Sequence, residues 1–458
     1  MLFFAYTQLF RYLGPFMSGQ YQFILSYVLI FSTVVDFGIQ QFITKKMSEN
    51  PERTREYFYN FISFEIVVAG LLYVFLVLIA FFRHQDSAVF YGVCLAGLGM
   101  VANALTYPYL SVLAAHQDLR KVAWINFLNS CVNVSVIFTA IAFGKSIVFL
   151  ASVQLIFGVL DIILYRQLVK KYLPNLGDSK TKNRKLFDFV LIKNILFNAW
   201  PFALLVGFSA IYNRIDVVII TYLKGYIETG YYTAAYKIFD LLGFFPSVVS
   251  YTLFPFLAAL MAKNAIADVR YNLEKYIRLM IAAALPMAVG GTLLATKLIE
   301  LIAGKEYAHA GPILQILIWA PAVLFVYIPV NALVISQLTK KAAAITSVNV
   351  ILNISGNIIL IPYFGIKAAA LMTVISETLQ GVFYFYFVKK NITDFDILKF
   401  LPKPVFAAVA MGVILWYVRN GSLIISLILG LIVYVSTLTV LGFFKKQDLH
   451  YLNSLFVK

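Results

Sequence analysis

The sequence predicts an all-α protein that crosses a membrane many times, and three observations lead to that prediction. The 458 residues are 61% hydrophobic and only 13% charged, against about 25% charged residues in a typical soluble domain. Apolar runs of about 20 residues, each long enough to span a bilayer as a helix, recur along the chain. Lys and Arg gather in every second connection between these runs.

Thirteen apolar runs are long enough to cross a membrane, and a shorter apolar piece, residues 1–10, precedes them. We interpret that piece as the end of a first helix that is incomplete in this chain. The predicted crossings are residues 21–44, 57–82, 88–113, 121–143, 147–168, 194–221, 229–261, 277–302, 309–336, 342–361, 366–388, 400–418 and 422–444.

The distribution of basic residues predicts the orientation and the domains. One alternate set of connections carries 27 Lys and Arg and the other carries 8, and short cytoplasmic loops are the ones enriched in these residues. The C-terminus is therefore predicted to be cytoplasmic. We expect an N-terminal lobe over 1–168, a basic cytoplasmic linker over 169–193, a C-terminal lobe over 194–390, and two extra helices with a cytoplasmic tail over 391–458.

An internal repeat supports two lobes. A shift of 220 residues gives seven identities between 113–133 and 333–353, and a shift of 211 places Gly14, Gly19 and Tyr21 on Gly225, Gly230 and Tyr232. Both copies run in the same direction, so the predicted pseudo-twofold axis lies along the membrane normal. By the same arithmetic the first helix lacks about 18 residues. We therefore predict that Met1 is an internal methionine of a longer protein, or that the chain is truncated.

Several function classes are disfavoured by the composition. The net charge of +16 is spread over short connections, which is not the clustered patch of a nucleic-acid-binding domain. Cys94 and Cys131 lie inside apolar runs without the CxxC spacing of a redox or metal site. No His, Asp and Glu cluster has acid–base or metal spacing, so we expect neither an enzyme nor a bound metal or cofactor.

Two charged residues lie inside the run 194–221. A charge near the middle of a spanning helix costs about 2.5–3.5 kcal/mol on insertion scales, so it usually faces a partner or a water-filled cavity. Arg214 and Asp216 are about 200° apart around a helix and cannot neutralise each other. One interpretation pairs Asp216 with Lys237 and Arg214 with Asp240 on the next helix.

Other polar residues inside apolar runs are further candidates. Four acids could bind a coupling ion, H⁺ or Na⁺, or serve as capped or hydrogen-bonded structural groups; they are Asp36, Glu65, Asp161 and Glu377. Four asparagines, spaced four apart in two pairs, share a helix face within each pair. They could meet sugar hydroxyls in a cavity or form interhelical hydrogen bonds; they are Asn129, Asn133, Asn349 and Asn353.

Three blocks of short motifs follow one another along the chain. The first contains Tyr12-Leu13-Gly14, Gly19-Gln20-Tyr21 and Asp36-Phe37-Gly38, the second contains Arg214-Ile215-Asp216 and residues 230–236, and the third covers residues 357–377. In this order they resemble bacterial polysaccharide flippases of the Wzx type, in the multidrug/oligosaccharidyl-lipid/polysaccharide exporter superfamily. Lys367-Ala368 departs mildly from that pattern, where a Gly is common.

The resemblance implies two six-helix lobes around a central cavity that opens alternately to the two sides of the bacterial cytoplasmic membrane. The implied cargo is an undecaprenyl-pyrophosphate-linked oligosaccharide for O-antigen, capsule or exopolysaccharide. Membrane lipids, a coupling ion and polysaccharide polymerases are the implied partners. Arg214 is our candidate for the pyrophosphate or an acidic sugar, because guanidinium binds oxyanions bidentately. Asp216, Lys237, Asp240 and the four asparagines complete the candidate substrate site.

Three other functions stay open. An ion-coupled multidrug exporter and a lipid II flippase would share the same fold. A membrane-embedded polysaccharide polymerase or ligase would be equally polytopic and basic, but the outer connections are short and hold no acid–base cluster.

Overall fold

The structure is a computed structural model that describes residues 2–36, 38–173 and 188–444, with the side chains of these residues except 2, 198–206, 209, 210, 251 and 252. The described residues form helices joined by short connections and contain no strand. The helices are α1 Leu2–Asp36, α2 Ile39–Glu49, α3 Thr54–Phe82, α4 Ser87–Ala104, α5 Tyr107–Ala115, α6 Leu119–Ala142, α7 Ile147–Val169, α8 Phe189–Tyr212, α9 Ile215–Lys224, α10 Tyr226–Ala262, α11 Ile266–Ala303, α12 Gly311–Leu317, α13 Trp319–Gln337, α14 Thr339–Phe364, α15 Ile366–Asn391, α16 Pro402–Val418 and α17 Leu423–Val440.

The helices have the length and surface of membrane-spanning segments. Within the described ranges, eleven helical segments are long and apolar enough to cross a bilayer, and α16 is apolar but shorter. Large apolar side chains cover their outer faces: Phe82 is 70% exposed, Tyr417 80% and Val440 86%. Such side chains are stable in contact with lipid, whereas the backbone polar groups are satisfied inside each helix.

The N-terminal helices differ from the prediction. The piece 1–10 and the crossing 21–44 were expected to be separate, but α1 continues from Leu2 to Asp36 across a kink at Gly14. Gly14 has φ 65° and ψ 174°, which a residue without a side chain adopts easily, and Pro15 follows it without an N–H donor. The predicted run 21–44 is then divided by Gly38, whose left-handed φ of 69° precedes α2.

The predicted helix over 194–221 is also divided. Its first part, α8, ends at Tyr212, and α9 begins at Ile215. Asn213 and Arg214 form the turn between them, with Arg214 at φ −140° and ψ −7°. Asn favours turns because its side chain can bond to nearby backbone groups, and the turn gives both polar residues positions outside regular helix. Hydropathy predicted the length of this segment and missed its break.

The chain folds into two compact units. Met1–Thr233 with Thr346–Pro362 forms the first, and Ala234–Ile345 with Tyr363–Lys458 forms the second. These units are not the lobes expected from the sequence, since residues 194–233 belong to the first unit. The lobe boundaries stay a prediction, and the predicted linker lies mostly outside the described residues.

Each unit has its own apolar clusters. In the first unit, one cluster is built from α1, α3, α4 and α7, and a second from α2, α3, α5 and α7; their members include Phe23, Leu76, Val93 and Ala151, and Ile39, Phe58, Phe61 and Tyr109. In the second unit, Leu273, Tyr327 and Tyr384 join α11, α13 and α15. Leu294, Met411 and Tyr434 attach the two extra helices, α16 and α17, to α11.

Candidate functional site

Arg214 and Asp216 occupy the break between α8 and α9. Arg214 is half-buried and immediately precedes the first turn of α9, and Asn213 beside it is exposed. Asp216 lies two residues further and is only 2% exposed. The two charges therefore have different environments, as their angular separation predicted, with the cation at the turn and the acid inside the unit.

Asp216 is held by a tyrosine of the following helix. The hydroxyl of Tyr232, on α10, donates a hydrogen bond to Oδ2 of Asp216, and the backbone N–H of Val217 lies 2.8 Å from Oδ1. Tyr232 is itself fully buried. A charge-assisted bond of this kind stabilises a carboxylate in an apolar interior. Sequence reasoning missed this partner, because a tyrosine in an apolar helix is usually interpreted as a packing residue.

Lys237 and Asp240 lie on one face of α10, in the second unit. Their Nζ and Oδ2 atoms are 4.0 Å apart, and the side chains are 21% and 33% exposed. They form an ion pair along their own helix. The predicted pairing of Asp216 with Lys237, and of Arg214 with Asp240, stays a prediction.

One member of the first asparagine pair, Asn129, forms a hydrogen bond between two helices. Nδ2 of Asn129 on α6 donates to both carboxylate oxygens of Asp161 on α7, at 2.9 and 3.1 Å. This bidentate contact links neighbouring helices inside the first unit. Asn133 lies one turn along α6 and is half-buried.

The second pair belongs to a longer series. On α14, Asn349 and Asn353 are 5% and 2% exposed, and Nδ2 of Asn357 donates to Oδ1 of Asn353 at 3.0 Å. Asn357 was missed in the sequence, although it continues the same spacing of four. The three side chains make a buried polar stripe along one face of this helix.

The candidate ion-coupling acids differ sharply in their partners. Asp36 caps α2, since Oδ1 accepts a bond from the backbone N–H of Gln40 at 3.0 Å. Glu377 on α15 accepts a 2.5 Å bond from the Tyr327 hydroxyl. Glu65 is fully buried in α3, and within the described part of the chain neither of its carboxylate oxygens has a hydrogen-bond partner.

The repeat predicted from the sequence produces a symmetric helix crossing. Gly225 has φ 87° and ψ −179°, close to the values at Gly14, and each glycine precedes the helical segment that carries Gly19 or Gly230. A Cβ on Gly19 would lie 1.8 Å from the Tyr226 carbonyl oxygen, and one on Gly230 would lie 2.0 Å from the Pro15 carbonyl oxygen. Pro15 and Tyr226 are again 211 residues apart. The two segments therefore cross backbone on backbone, and the contact repeats under the pseudo-symmetry.

Polar and aromatic groups surround this crossing, which we name the glycine crossing. The Tyr226 hydroxyl donates to Oε1 of Gln85, and Nε2 of Gln20 donates to Oδ2 of Asp86 at 2.9 Å. The Arg83 guanidinium lies 4.9 Å from the centroid of the Tyr222 ring. Residues 83–86 and 222–226 belong to connections with few basic residues, and the structure brings them to the same end of the first unit.

Comparison with known proteins decides the family. The sequence pattern described as polysaccharide biosynthesis protein matches residues 1–261, more than half of this chain. The chain belongs to this family. The expected membership of the exporter superfamily is thereby confirmed.

Three relatives show the same relationship at low identity. The chain is 26% identical over 344 residues to an uncharacterized membrane protein of Methanocaldococcus jannaschii, covering 71% of this chain and 66% of that protein. It is 22% identical over 391 residues to a probable low-salt glycan biosynthesis flippase of Haloferax volcanii, covering 84% and 79%. A probable flippase of the same organism matches at 25% over 217 residues. The matches span just under two thirds of the first relative and 44% of the last.

Solved structures confirm the fold class. Lipid II flippase MurJ, in an inward closed conformation, has a TM-score of 0.70 at 16% identity, covering 96% of this chain and 99% of that one. A multidrug resistance MATE family transporter of the MOP superfamily, in an inward-facing conformation, has a TM-score of 0.63 at 13% identity, covering 85% and 94%. At these identities the likeness shows the fold alone. The predicted all-α polytopic architecture is correct.

Proposed function

We propose that this protein is a flippase that moves an undecaprenyl-pyrophosphate-linked oligosaccharide across the bacterial cytoplasmic membrane. The family match over residues 1–261 carries the proposal, and the relative named as a glycan biosynthesis flippase supports it. The translocated units would serve O-antigen, capsule or exopolysaccharide synthesis, with polysaccharide polymerases as partners. The protein would act as a transporter without catalysing a covalent step, and its C-terminus would lie in the cytoplasm.

Arg214 would bind the pyrophosphate. Its side chain is half-buried at a turn inside an otherwise apolar segment, a place where a cation normally faces water or a polar ligand. The same turn begins α9, whose first backbone N–H groups favour a negative charge. Guanidinium and helix N-terminus together offer one anion both charge and directed hydrogen bonds. Asp216, Lys237, Asp240 and the asparagines named above are proposed to form the rest of the substrate site.

Translocation would proceed by alternating access. The glycine crossing joins the two pseudo-equivalent segments at the end of the first unit that is predicted, from the basic-residue distribution, to face the outer side. A large cargo that leaves on that side would have to pass these segments, which are packed backbone on backbone. The proposal therefore requires the glycine crossing to open during each cycle.

Substitution of Arg214 tests its proposed role. Arg214→Ala should abolish polysaccharide export while the protein still inserts into the membrane, because removal of the guanidinium leaves an alanine facing the pyrophosphate. Export is measured as surface polysaccharide in a strain that depends on this protein, and insertion is measured by immunoblot of the membrane fraction. The exposed Arg120, in the first turn of α6 at the end predicted to be cytoplasmic, is the matched control. Unchanged export in Arg214→Ala cells, equal to that of Arg120→Ala cells, would rule out the phosphate role.

Two alternative functions are consistent with the fold likeness, a lipid II flippase and an ion-coupled multidrug exporter. The three functions differ in their cargo, so the cargo distinguishes them. A strain lacking the protein should accumulate lipid-linked oligosaccharide without a change in its sensitivity to cationic drugs or in its peptidoglycan synthesis. Drug hypersensitivity with normal polysaccharide would favour the exporter, and loss of peptidoglycan synthesis would favour the lipid II flippase.

A further inference from the structure

Glu65 is the buried acid that the substrate site does not use. It lies near the middle of α3, on the stripe of that helix that contains Phe61 and Ala69, one turn away on either side. All three residues are at most 1% exposed. Neither oxygen of Glu65 accepts or shares a hydrogen bond with any residue that the structure describes. An ionised carboxylate without water, hydrogen bonds or a counter-charge is very costly in such a place, and such a group normally neutralises instead.

The groups that face Glu65 make ionisation less favourable still. Asp36, at the end of α1, acts on it electrostatically. Tyr107 of α5 faces both acids and bonds to the hydroxyl of Ser32. No Lys, Arg or His is among the groups that act on Glu65 in the described ranges. Two carboxylates with no cation nearby do not both ionise in an apolar interior.

The hydrogen bonds indicate which of the two acids holds the charge. Asp36 accepts the backbone N–H of Gln40 at 3.0 Å, and backbone N–H groups stabilise the ionised form of a carboxylate. Glu65 has no such donor. The hydrogen bonds therefore favour the negative charge on Asp36 over a negative charge on Glu65.

We propose that Glu65 carries a proton in this conformation and that the pair Glu65 and Asp36 is the proton-binding site of the transport cycle. The chemistry is a simple dissociation, in which the carboxylic acid of Glu65 releases H⁺ and leaves a carboxylate. The use of this site in transport rests on the flippase function proposed above, but proton binding by Glu65 does not.

Asp36 places the proposed proton-binding site at the junction between α1 and α2. Asp36 is the last residue of α1, and Gly38, in the left-handed region, starts α2. Release of the proton would add a negative charge on α3 that repels the charge of Asp36 at the junction of α1 with α2. The repulsion favours a conformation in which the junction moves away from α3 or water enters between them. Proton occupancy at Glu65 and the conformation of the first unit are thus coupled.

Infrared spectroscopy on the purified full chain, with the wild-type spectrum compared with those of the variants, tests whether Glu65 binds a proton. The measurement needs no cargo. At neutral pH the wild type should show the carbonyl stretch of a protonated, non-hydrogen-bonded carboxylic acid. Glu65→Gln should remove that band, and Glu377→Gln should leave it in place as the matched control. Asp36→Asn should keep the band, since Glu65 would be neutral there as well. A wild-type spectrum without the band, or one in which Glu65→Gln leaves it unchanged, would overturn the assignment.

Two further measurements separate this site from the proposed function and from sodium. In proteoliposomes, a pH gradient should accelerate cargo movement by the wild type and have no effect on Glu65→Gln, which mimics the protonated acid permanently. If cargo does not move at all, the flippase proposal fails while the infrared result stands. If NaCl, compared with KCl, raises the melting temperature of the wild type and not of Glu65→Gln, the site binds sodium and the proton assignment is wrong.

Discussion

The two copies of the internal repeat share their backbone and differ in their chemistry. Gly14 and Gly225 have the same unusual backbone conformation, and Gly19 and Gly230 make the same close contact in opposite directions. Around this common frame, the first copy is followed by two facing acids, Asp36 and Glu65. The second copy has Asp216 bound to Tyr232, beside the half-buried Arg214. The backbone of the glycine crossing is therefore common to the two copies, whereas the charged groups near it differ from one copy to the other.

Locking the glycine crossing should have the largest effect on function. In a variant without its native cysteines, Gln85→Cys and Tyr226→Cys replace two side chains that are hydrogen-bonded to each other. A short, reducible thiol cross-linker should stop cargo movement in proteoliposomes, because the two repeats can no longer separate there. Reduction should restore it. Full transport by the cross-linked protein would mean that the crossing is a fixed joint and that cargo leaves by another route.

Substitution of Gly19 and of Gly230 by alanine tests whether the two copies of the repeat are equivalent at the glycine crossing. A Cβ at either position would overlap a backbone carbonyl oxygen, and overpacking of this kind typically costs about 1–3 kcal/mol, occasionally more. Gly19→Ala and Gly230→Ala should therefore lower the melting temperature of the detergent-solubilised protein by similar amounts. Gly70→Ala is the control, since a Cβ there meets nothing within 4 Å. A large loss in one glycine variant only would break the proposed equivalence of the copies.

Tyr232 and its repeat counterpart Tyr21 should reveal the difference in chemistry between the two copies. Tyr232→Phe removes the hydroxyl that donates to the buried Asp216 carboxylate, and hydrogen bonds to charged groups contribute about 1.5–3 kcal/mol. Its repeat counterpart, Tyr21, interacts with the hydroxyl of Tyr6, so Tyr21→Phe should cost about 0.5–1.5 kcal/mol, as for a bond between neutral groups. Denaturant unfolding of the two variants measures the difference. Equal losses would show that Asp216 does not depend on its tyrosine.

The smallest effect is expected at Glu65. Glu65→Met replaces an acid that has no hydrogen-bond partner among the described residues by an apolar side chain of similar length, and such replacements are nearly neutral or stabilising. Glu377→Met, in contrast, leaves the buried Tyr327 hydroxyl without its acceptor and should cost about 1–3 kcal/mol. Thermal unfolding compares the two variants directly. A loss at Glu65 as large as that at Glu377 would show that Glu65 has a stabilising partner after all.

The sequence predicted the parts of the fold that depend on hydropathy and repetition. Long apolar runs became helices, and the pairing of Gly14 with Gly225 reappeared as a shared backbone conformation. It missed the breaks at Gly38 and at Asn213–Arg214, because average hydropathy over about 20 residues does not register a single turn. Helix spacing predicted that Asn129 and Asn133 share one face of their helix, but it did not identify Asp161 as the partner of Asn129.

The partners of the buried acids could not be read from the sequence. Tyr327 and Tyr232 look like ordinary packing residues until the fold brings their hydroxyls to Glu377 and Asp216. Glu65 looked equivalent to the other three acids inside apolar runs. Its distinguishing property is the lack of a donor among the described residues, and that property arises only from tertiary packing.

Reconstituted translocation is the most direct test of the central claim. The full chain is incorporated into proteoliposomes that contain undecaprenyl-pyrophosphate-linked oligosaccharide, and a membrane-impermeant glycosidase reports how much of the glycan lies outside. Wild-type protein should increase the accessible fraction over time, whereas liposomes with Arg214→Ala should match protein-free liposomes. If the wild-type protein leaves the glycan distribution unchanged while it transports a cationic dye, the protein is not a glycan flippase.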